Sequence, residues 1–349
     1  MPTWGGILAE LQAAQAAGNP SPYDNIRRKY LVELHQYTNR AVILYATKFV
    51  APGSAPPEML SINDEDLQGL MEVFHGINCP DLDLILHSPG GSIDATEGLV
   101  LYMRSKFDNI RVIVPNLAMS AATMIACAAD RIVMGKHSFL GPIDPQFVIN
   151  TELGRRSVSA EEISEQFEEA QRDCADPAKM GAWIPILKSY GPDILIKCQH
   201  ACSLSKSLAH GWLSSYMFKG QANSKKKADK IADWLAKHKN SKSHGRHLSR
   251  DELLDKGLTI DKLEDDQQLQ EKVLSVFHAT NHTFNATPAL KIIENHLGRA
   301  FVKTQQQVQI PIQQLQQVQI PIQQLQQLIN QKKAVAKPLP QSPPNPRST

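Results

Sequence analysis

Leu82-Asp83-Leu84-Ile85-Leu86-His87-Ser88-Pro89-Gly90-Gly91-Ser92-Ile93-Asp94-Ala95 is the stretch that decides the fold. Its apolar run over 82–86 reads as a buried strand, and the paired glycines close it with a sharp turn. A helix is expected next, over 96–106. About thirty residues downstream, Ala118-Met119-Ser120-Ala121-Ala122 places a serine among small side chains at the start of an apolar helix over 120–129. The glycine turn offers backbone N–H groups to a developing oxyanion, and the serine offers a hydroxyl nucleophile. The two segments read as halves of one acyl-transfer site.

Outward from this pair the same pattern repeats. Strands are expected over 41–46, 82–86, 111–115 and 131–134, alternating with helices over 27–38, 65–76, 96–106 and 120–129. Residues 52–57 read as a Pro/Gly loop, and 61–64 as a helix cap. Apolar strands alternating with helices imply βαβ units and a mostly parallel sheet with right-handed crossovers. After Asp144-Pro145 the character changes to helices over 161–172, 193–213, 225–238 and 250–256, with an apolar stretch over 180–190 that Pro185 interrupts. Helices are also expected over 1–18, 269–278 and 288–297.

A chain of 349 residues with 42% hydrophobic and 21% charged side chains can build a substantial core. The net charge of +2 gives no global argument for nucleic acid or an acidic partner. Ten basic residues against two acidic ones over 219–250 read as a solvated basic helix and loop, with no aromatic interleaving beyond Trp234. The five cysteines are odd in number and form no scaffold pattern, which fits a reducing, cytoplasmic setting. No secretion signal and no membrane span are expected. An identical ten-residue repeat at 308–317 and 318–327 is broken by Pro311 and Pro321, and the Gln/Pro-rich tail reads as disordered.

These motifs together resemble the Clp-protease/crotonase superfold. More closely, the chain resembles the serine dehydrogenase proteinase family, a soluble relative of signal peptide peptidase A. The resemblance covers about residues 23–258. It rests on Ser88-Pro89-Gly90-Gly91-Ser92, on Ala118 through Ala126, and on Gly141-Pro142-Ile143-Asp144-Pro145-Gln146, taken in that order. Arg28-Lys29-Tyr30-Leu31, Thr38-Asn39-Arg40 and Ser243-His244-Gly245-Arg246 add to it. It implies an α/β fold of stacked βαβ units with extra C-terminal helices. It also implies self-association and a serine peptidase acting on peptides or unfolded protein without a cofactor. The expected division is an N-terminal extension (1–22), the peptidase domain (23–260), a helical C-terminal extension (261–303) and the tail (304–349).

The resemblance assigns Ser120 as nucleophile, with Asp144 and His244 completing a triad in the order Ser, Asp, His. Gly90, Gly91 and the Ala121 amide form the oxyanion hole. His247, His210, His200 and His137 are rival bases, and a lysine at 179 or 188 (Lys179, Lys188) is the alternative in a Ser/Lys dyad. Each candidate has a plainer reading: a helix cap for Ser120, a strand-ending turn for the glycines, an Asp-Pro turn for Asp144 and a surface loop for His244. Cys198, His200 and Cys202 do not read as a metal site, because His200 falls off the helix face that the cysteines share. Two other functions compete: a crotonase-like acyl-CoA hydratase or isomerase using the same paired amides, and a non-catalytic assembly protein retaining the fold.

Overall fold

The computed structural model describes residues 3–51, 55–151, 154–188 and 190–305. The Gln/Pro-rich tail and its repeat lie outside the described residues. In chain order the strands are β1 (Ala41–Thr47), β2 (Asp81–His87), β3 (Asn109–Val114), β4 (Leu117–Ala118), β5 (Arg131–Met134) and β6 (Phe139–Leu140). They continue with β7 (Gln146–Thr151), β8 (Gly154–Ser159), β9 (Leu248–Ser249), β10 (Ile260–Lys262), β11 (Ala289–Asn295) and β12 (Ala300–Thr304).

The main sheet has the order β10-β5-β3-β2-β1-β11-β12. Its first five strands are parallel, and β11 and β12 add antiparallel at the β1 edge. Strand alternation fixes what each face buries. On β1, Ala41, Ile43 and Tyr45 face one core while Val42, Leu44 and Ala46 face the other. The first core is closed by helices that include Asp66–Phe74, Ile93–Lys106, Ala121–Cys127, Ile194–Ser215 and Ser224–Ala236. The second is closed by Trp4–Ala16, Pro22–Thr38 and Gln267–Ala286. With both faces covered, the central strands are buried and largely apolar, as the sequence pattern indicated.

Several elements depart from the sequence reading. The helix expected over 288–297 is instead strand β11, buried along its whole length, so the sheet runs across the boundary expected at residue 260. β7 and β8 form a hairpin where no strand was expected, and Arg155, Arg156 and Ser157 are exposed on it.

β11 is tolerated in the interior because its charged side chains are matched. Lys291 is fully buried and donates to Asp66 Oδ1 at 2.6 Å and to the Ser61 carbonyl at 2.8 Å. Tyr45 donates its hydroxyl to Asp66 Oδ2 at 2.7 Å. Glu294 lies between Arg27 and Arg28 in the same way. On β2, Asp83 accepts from Arg40 at 2.6 Å and from Arg111 at 2.7 Å and 2.9 Å.

At the end of β2, His87 is enclosed by the rings of Phe49 and Phe277. Burial holds its pKa down to about 4. The Leu117 N–H donates to its Nδ1 at 3.4 Å, a contact that requires an unprotonated nitrogen.

Lys291→Met leaves Asp66 charged and buried without its cation, so unfolding stability in urea is expected to fall by about 3–5 kcal/mol. A loss under about 1 kcal/mol would show that the pair does not hold β11 in place. Between the ordinary value of 6.5 and about 4, the unfolded chain protonates residue 87 and the folded chain does not. Stability from neutral His87 is therefore complete above pH 6.5 and is lost as pH falls toward 4, by on the order of 3 kcal/mol. Urea titrations of His87→Gln across that window are expected to show a flatter pH dependence than the wild-type protein, and an unchanged slope would contradict this.

Candidate active site

Three backbone segments meet where β2 ends. Ser88 N–H donates to the Leu117 carbonyl at 3.1 Å, and Met119 N–H donates back to the Ser88 carbonyl at 2.9 Å. On the other side, Ile62 N–H donates to the Gly90 carbonyl at 2.8 Å, and Ser92 N–H to the Ile62 carbonyl at 3.0 Å. The strip 90–92 is thus clamped between Ile62 and the turn that carries Ser120.

Only glycines fit this clamp. A Cβ on Gly90 would lie 2.5 Å from the Met119 carbonyl oxygen, 2.7 Å from Ser120 Cβ and 2.8 Å from the Ala121 nitrogen. A Cβ on Gly91 would lie 2.3 Å from the Ile62 oxygen. Gly90 also adopts φ +92°, a region open mainly to glycine.

Peptide groups on an extended strip alternate in direction. With the Gly90 carbonyl and the Ser92 N–H turned toward Ile62, the Gly91 N–H points the opposite way. Among the described residues, no acceptor engages the Gly91 N–H or the Ala121 N–H. The Gly90 N–H is different: it donates to Ser88 Oγ at 3.2 Å. Gly90 therefore contributes room rather than the oxyanion donor expected of it, and the free pair is Gly91 and Ala121.

Ser120 occupies φ 53°, ψ −120°, immediately before the helix Ala121–Cys127. This conformation is strained for a residue with a side chain and costs on the order of 1–3 kcal/mol. Its side chain makes no N-cap hydrogen bond, so the plain capping role fails. Instead Ser120 lines a cavity of about 520 Å³ together with Gly90, Gly91 and His244. Met124, Ile143, Phe147 and Leu204 supply apolar wall. A larger cavity, about 660 Å³, opens beside Arg27 and Thr287 and holds none of the candidate side chains.

Asp144 is buried in the loop after β6. Thr123 ties that loop to the serine helix: its hydroxyl donates to the Ala118 carbonyl at 2.8 Å and accepts the Gly141 N–H at 2.9 Å. Ser205 Oγ donates to the Ile143 carbonyl at 2.7 Å, and Ile143 N–H donates to the Leu235 carbonyl at 3.0 Å. Asp144 Oδ1 lies 2.8 Å from His244 Nδ1. His244 then presents Nε2 as its free ring nitrogen. Among the described residues, no hydrogen bond joins that nitrogen to Ser120 Oγ.

Asp144 Oδ2 lies 2.8 Å from Nδ1 of a second histidine, His238, which the sequence reading did not single out. Nor did it single out Ser205. Neither falls in a motif, and both sit on helices remote from Asp144 in sequence. The rival histidines are elsewhere: His137, His200 and His247 are exposed, and neither they nor His210 line the cavity. Lys179 and Lys188 are exposed and do not line it either, and Lys179 pairs with Asp173 at 3.0 Å. Among the described residues, no lysine lines the cavity that holds Ser120.

Residues 62–165 match the family described as ClpP-like SDH-type serine proteinase. That segment contains the glycine strip, Ser120 and Asp144, and it ends before the two histidines. Two uncharacterized proteins of Methanocaldococcus jannaschii are similar in sequence. One is 35% identical over 122 residues, covering 34% of this chain and 43% of that protein. The other is 45% identical over 65 residues, covering 19% of this chain and 22% of that protein. The chain thus spans less than half the length of these curated relatives. Among solved structures, a membrane-bound stomatin-specific protease aligns over 61% of this chain and 79% of its own, at 17% identity and a TM-score of 0.36.

Gly90→Ala and Gly98→Ala separate the clamp from ordinary glycine effects. Gly98 lies inside the helix Ile93–Lys106 with open space around its Cβ position, so alanine there is expected to stabilise by about 0.5–1 kcal/mol. At position 90 alanine meets backbone on all sides, and a loss above about 3 kcal/mol is expected in chemical denaturation. Equal responses at the two positions would contradict the close approach.

Proposed function

We propose that this chain, whose residues 62–165 match the ClpP-like SDH-type serine proteinases, hydrolyses peptide bonds in peptides or unfolded protein through an acyl-enzyme at Ser120. The observation that carries the reading is the meeting in one cavity of a serine held at positive φ and a histidine backed by a buried aspartate. Two unengaged amides beside that serine complete the set.

In the proposed cycle, Ser120 Oγ attacks the scissile carbonyl carbon while His244 Nε2 takes the hydroxyl proton. The carbonyl oxygen becomes an oxyanion and accepts from Gly91 N–H and Ala121 N–H. Asp144 holds Nδ1–H of His244 and so fixes the tautomer that leaves Nε2 as the base. His244 then returns the proton to the leaving amine, and water, activated the same way, cleaves the ester. The missing contact between Ser120 and His244 closes as substrate binds, a tightening common to serine hydrolases. The wall of Met124, Ile143, Phe147 and Leu204 favours an apolar side chain next to the scissile bond.

Self-association and a cytoplasmic setting belong to the same proposal. The helix Pro177–Lys188 buries no residue and exposes Met180, Ile184 and Ile186, apolar surface of the kind that contact between copies covers. All five cysteines are free. Among the described residues, no helix is long and apolar enough to cross a membrane.

Treatment with a fluorophosphonate is expected to leave a covalent adduct on Ser120, read by peptide mass mapping. Ser120→Ala is expected to abolish both labelling and peptide hydrolysis. His244→Ala and Asp144→Asn are each expected to lower the hydrolysis rate by about 10³–10⁴-fold. Lys179→Met and Lys188→Met are expected to leave it unchanged. Tight binding of coenzyme A without labelling would favour the crotonase-like reading, and the absence of both would favour an assembly protein.

A further inference from the structure

Resting on the peptidase reading above, we propose that His238 is a positioning residue of the same site: a second histidine that clamps Asp144 from the side opposite His244 and tempers the grip of that carboxylate on His244.

The geometry around Asp144 is saturated and directional. Its side chain is 1% exposed, and an ionised carboxylate only accepts hydrogen bonds. Oδ1 faces His244 Nδ1 at 2.8 Å. Oδ2 faces His238 Nδ1 at 2.8 Å and the Gln146 side-chain amide at 2.9 Å. Both imidazoles must therefore donate from Nδ1. The two rings then diverge in what their other nitrogen meets. Nε2 of His244 opens into the cavity with Ser120. Nε2 of His238 faces a second carboxylate, Glu162 Oε1, at 3.3 Å. A ring with an acceptor on each nitrogen is hydrogen-bonded at both only when both carry protons.

The carboxylate on that far side is fixed by local structure. Glu162 is the third residue of the helix Ala160–Asp173, and its Oε2 accepts the Ser159 N–H at 3.2 Å in a capping box. Ser159 also ends β8, the hairpin strand that pairs with the cavity-lining β7. His238 thus connects the helix cap and the hairpin to Asp144.

Other charged and titratable groups around His238 act in the same direction or are engaged elsewhere. Glu161 accepts the Lys239 backbone N–H at 3.3 Å. Lys237, next in sequence, is drawn to Asp233 at 2.7 Å. Cys202, on the helix Ile194–Ser215, is neutral, its thiol pushed by burial to about 11. Burial opposes a charge on His238, but Asp144, Glu162 and Glu161 together outweigh it and raise its pKa.

A cation on one oxygen of Asp144 weakens the hold of that carboxylate on an imidazolium at the other. The charge on His238 therefore reaches the base only through Asp144, by setting how firmly that carboxylate holds the proton passed to His244. It does not line the cavity, so it acts through Asp144 and not on substrate.

The test is the pH dependence of fluorophosphonate labelling in the full-length wild-type protein, His238→Asn and His238→Ala. Asparagine keeps a donor near the Nδ1 position and removes the charge, so the labelling midpoint is expected to move up by on the order of one pH unit. Alanine removes the donor as well, and the plateau is expected to fall about tenfold besides. An independent reading comes from nitrogen NMR of the wild-type protein: the His238 ring is expected to keep both protons to higher pH than an ordinary histidine, with that signal gone in His238→Asn. Midpoints identical in all three proteins, or a His238 that loses its second proton no later than an ordinary histidine, would overturn the inference while leaving the triad intact. A wild-type protein that does not label at Ser120, or one whose His244→Ala variant labels equally fast, would instead overturn the peptidase reading and this inference with it.

Discussion

The structure depends on how closely two stretches of backbone approach each other. The strip at Gly90-Gly91 passes between Ile62 and the turn at Met119–Ala121 at distances no β-carbon would permit. That approach turns the Gly91 amide away from Ile62, brings the Ala121 nitrogen beside Gly90 and forces Ser120 into a positive φ. The result is a half-buried serine next to two free amides, and the buried hydrogen bonds around Ser88 and Thr123 hold the arrangement in place.

Much of the surrounding framework rests on paired charges within the protein interior. Lys291 and Asp66 lie 0% exposed, and Lys291 also donates to the Ser61 carbonyl, one residue before the Ile62 that clamps the glycine strip. Replacing such a pair by apolar side chains is often energetically neutral, so its value here lies in position more than in stability. It ties β11, from the far end of the described chain, to the segment that aims the Gly91 amide. Arg40 and Arg111 on Asp83 do comparable work under β2.

The central sheet and the candidate serine were legible because they depend on local signals. Residues 82–86 and 131–134 are strongly apolar runs with one charged residue each, and a serine between small residues at a helix start needs no distant partner to be noticed. β11 was misread for the opposite reason. Lys291 and Glu294 look like the polar face of a helix until their partners are known, and those partners, Asp66 and Arg27, stand more than two hundred residues away. The β7–β8 hairpin was missed because β8, Gly-Arg-Arg-Ser-Val-Ser, carries little hydrophobic signal and leaves the short run Phe147-Val148-Ile149 of β7 without an evident partner. Asp144 and His244 came from resemblance and not from spacing. His238 had neither, since only the folded chain brings it to within hydrogen-bond reach of a carboxylate 94 positions earlier.

The most direct measurement is a crystal structure of the protein after reaction with a fluorophosphonate. The phosphoryl oxygen on Ser120 is expected within about 2.7–3.1 Å of both the Gly91 and Ala121 nitrogens, with His244 Nε2 close to the Ser120 oxygen. An adduct whose oxygen turns to solvent, with those two amides remote from it, would contradict the shared crevice on which the site depends.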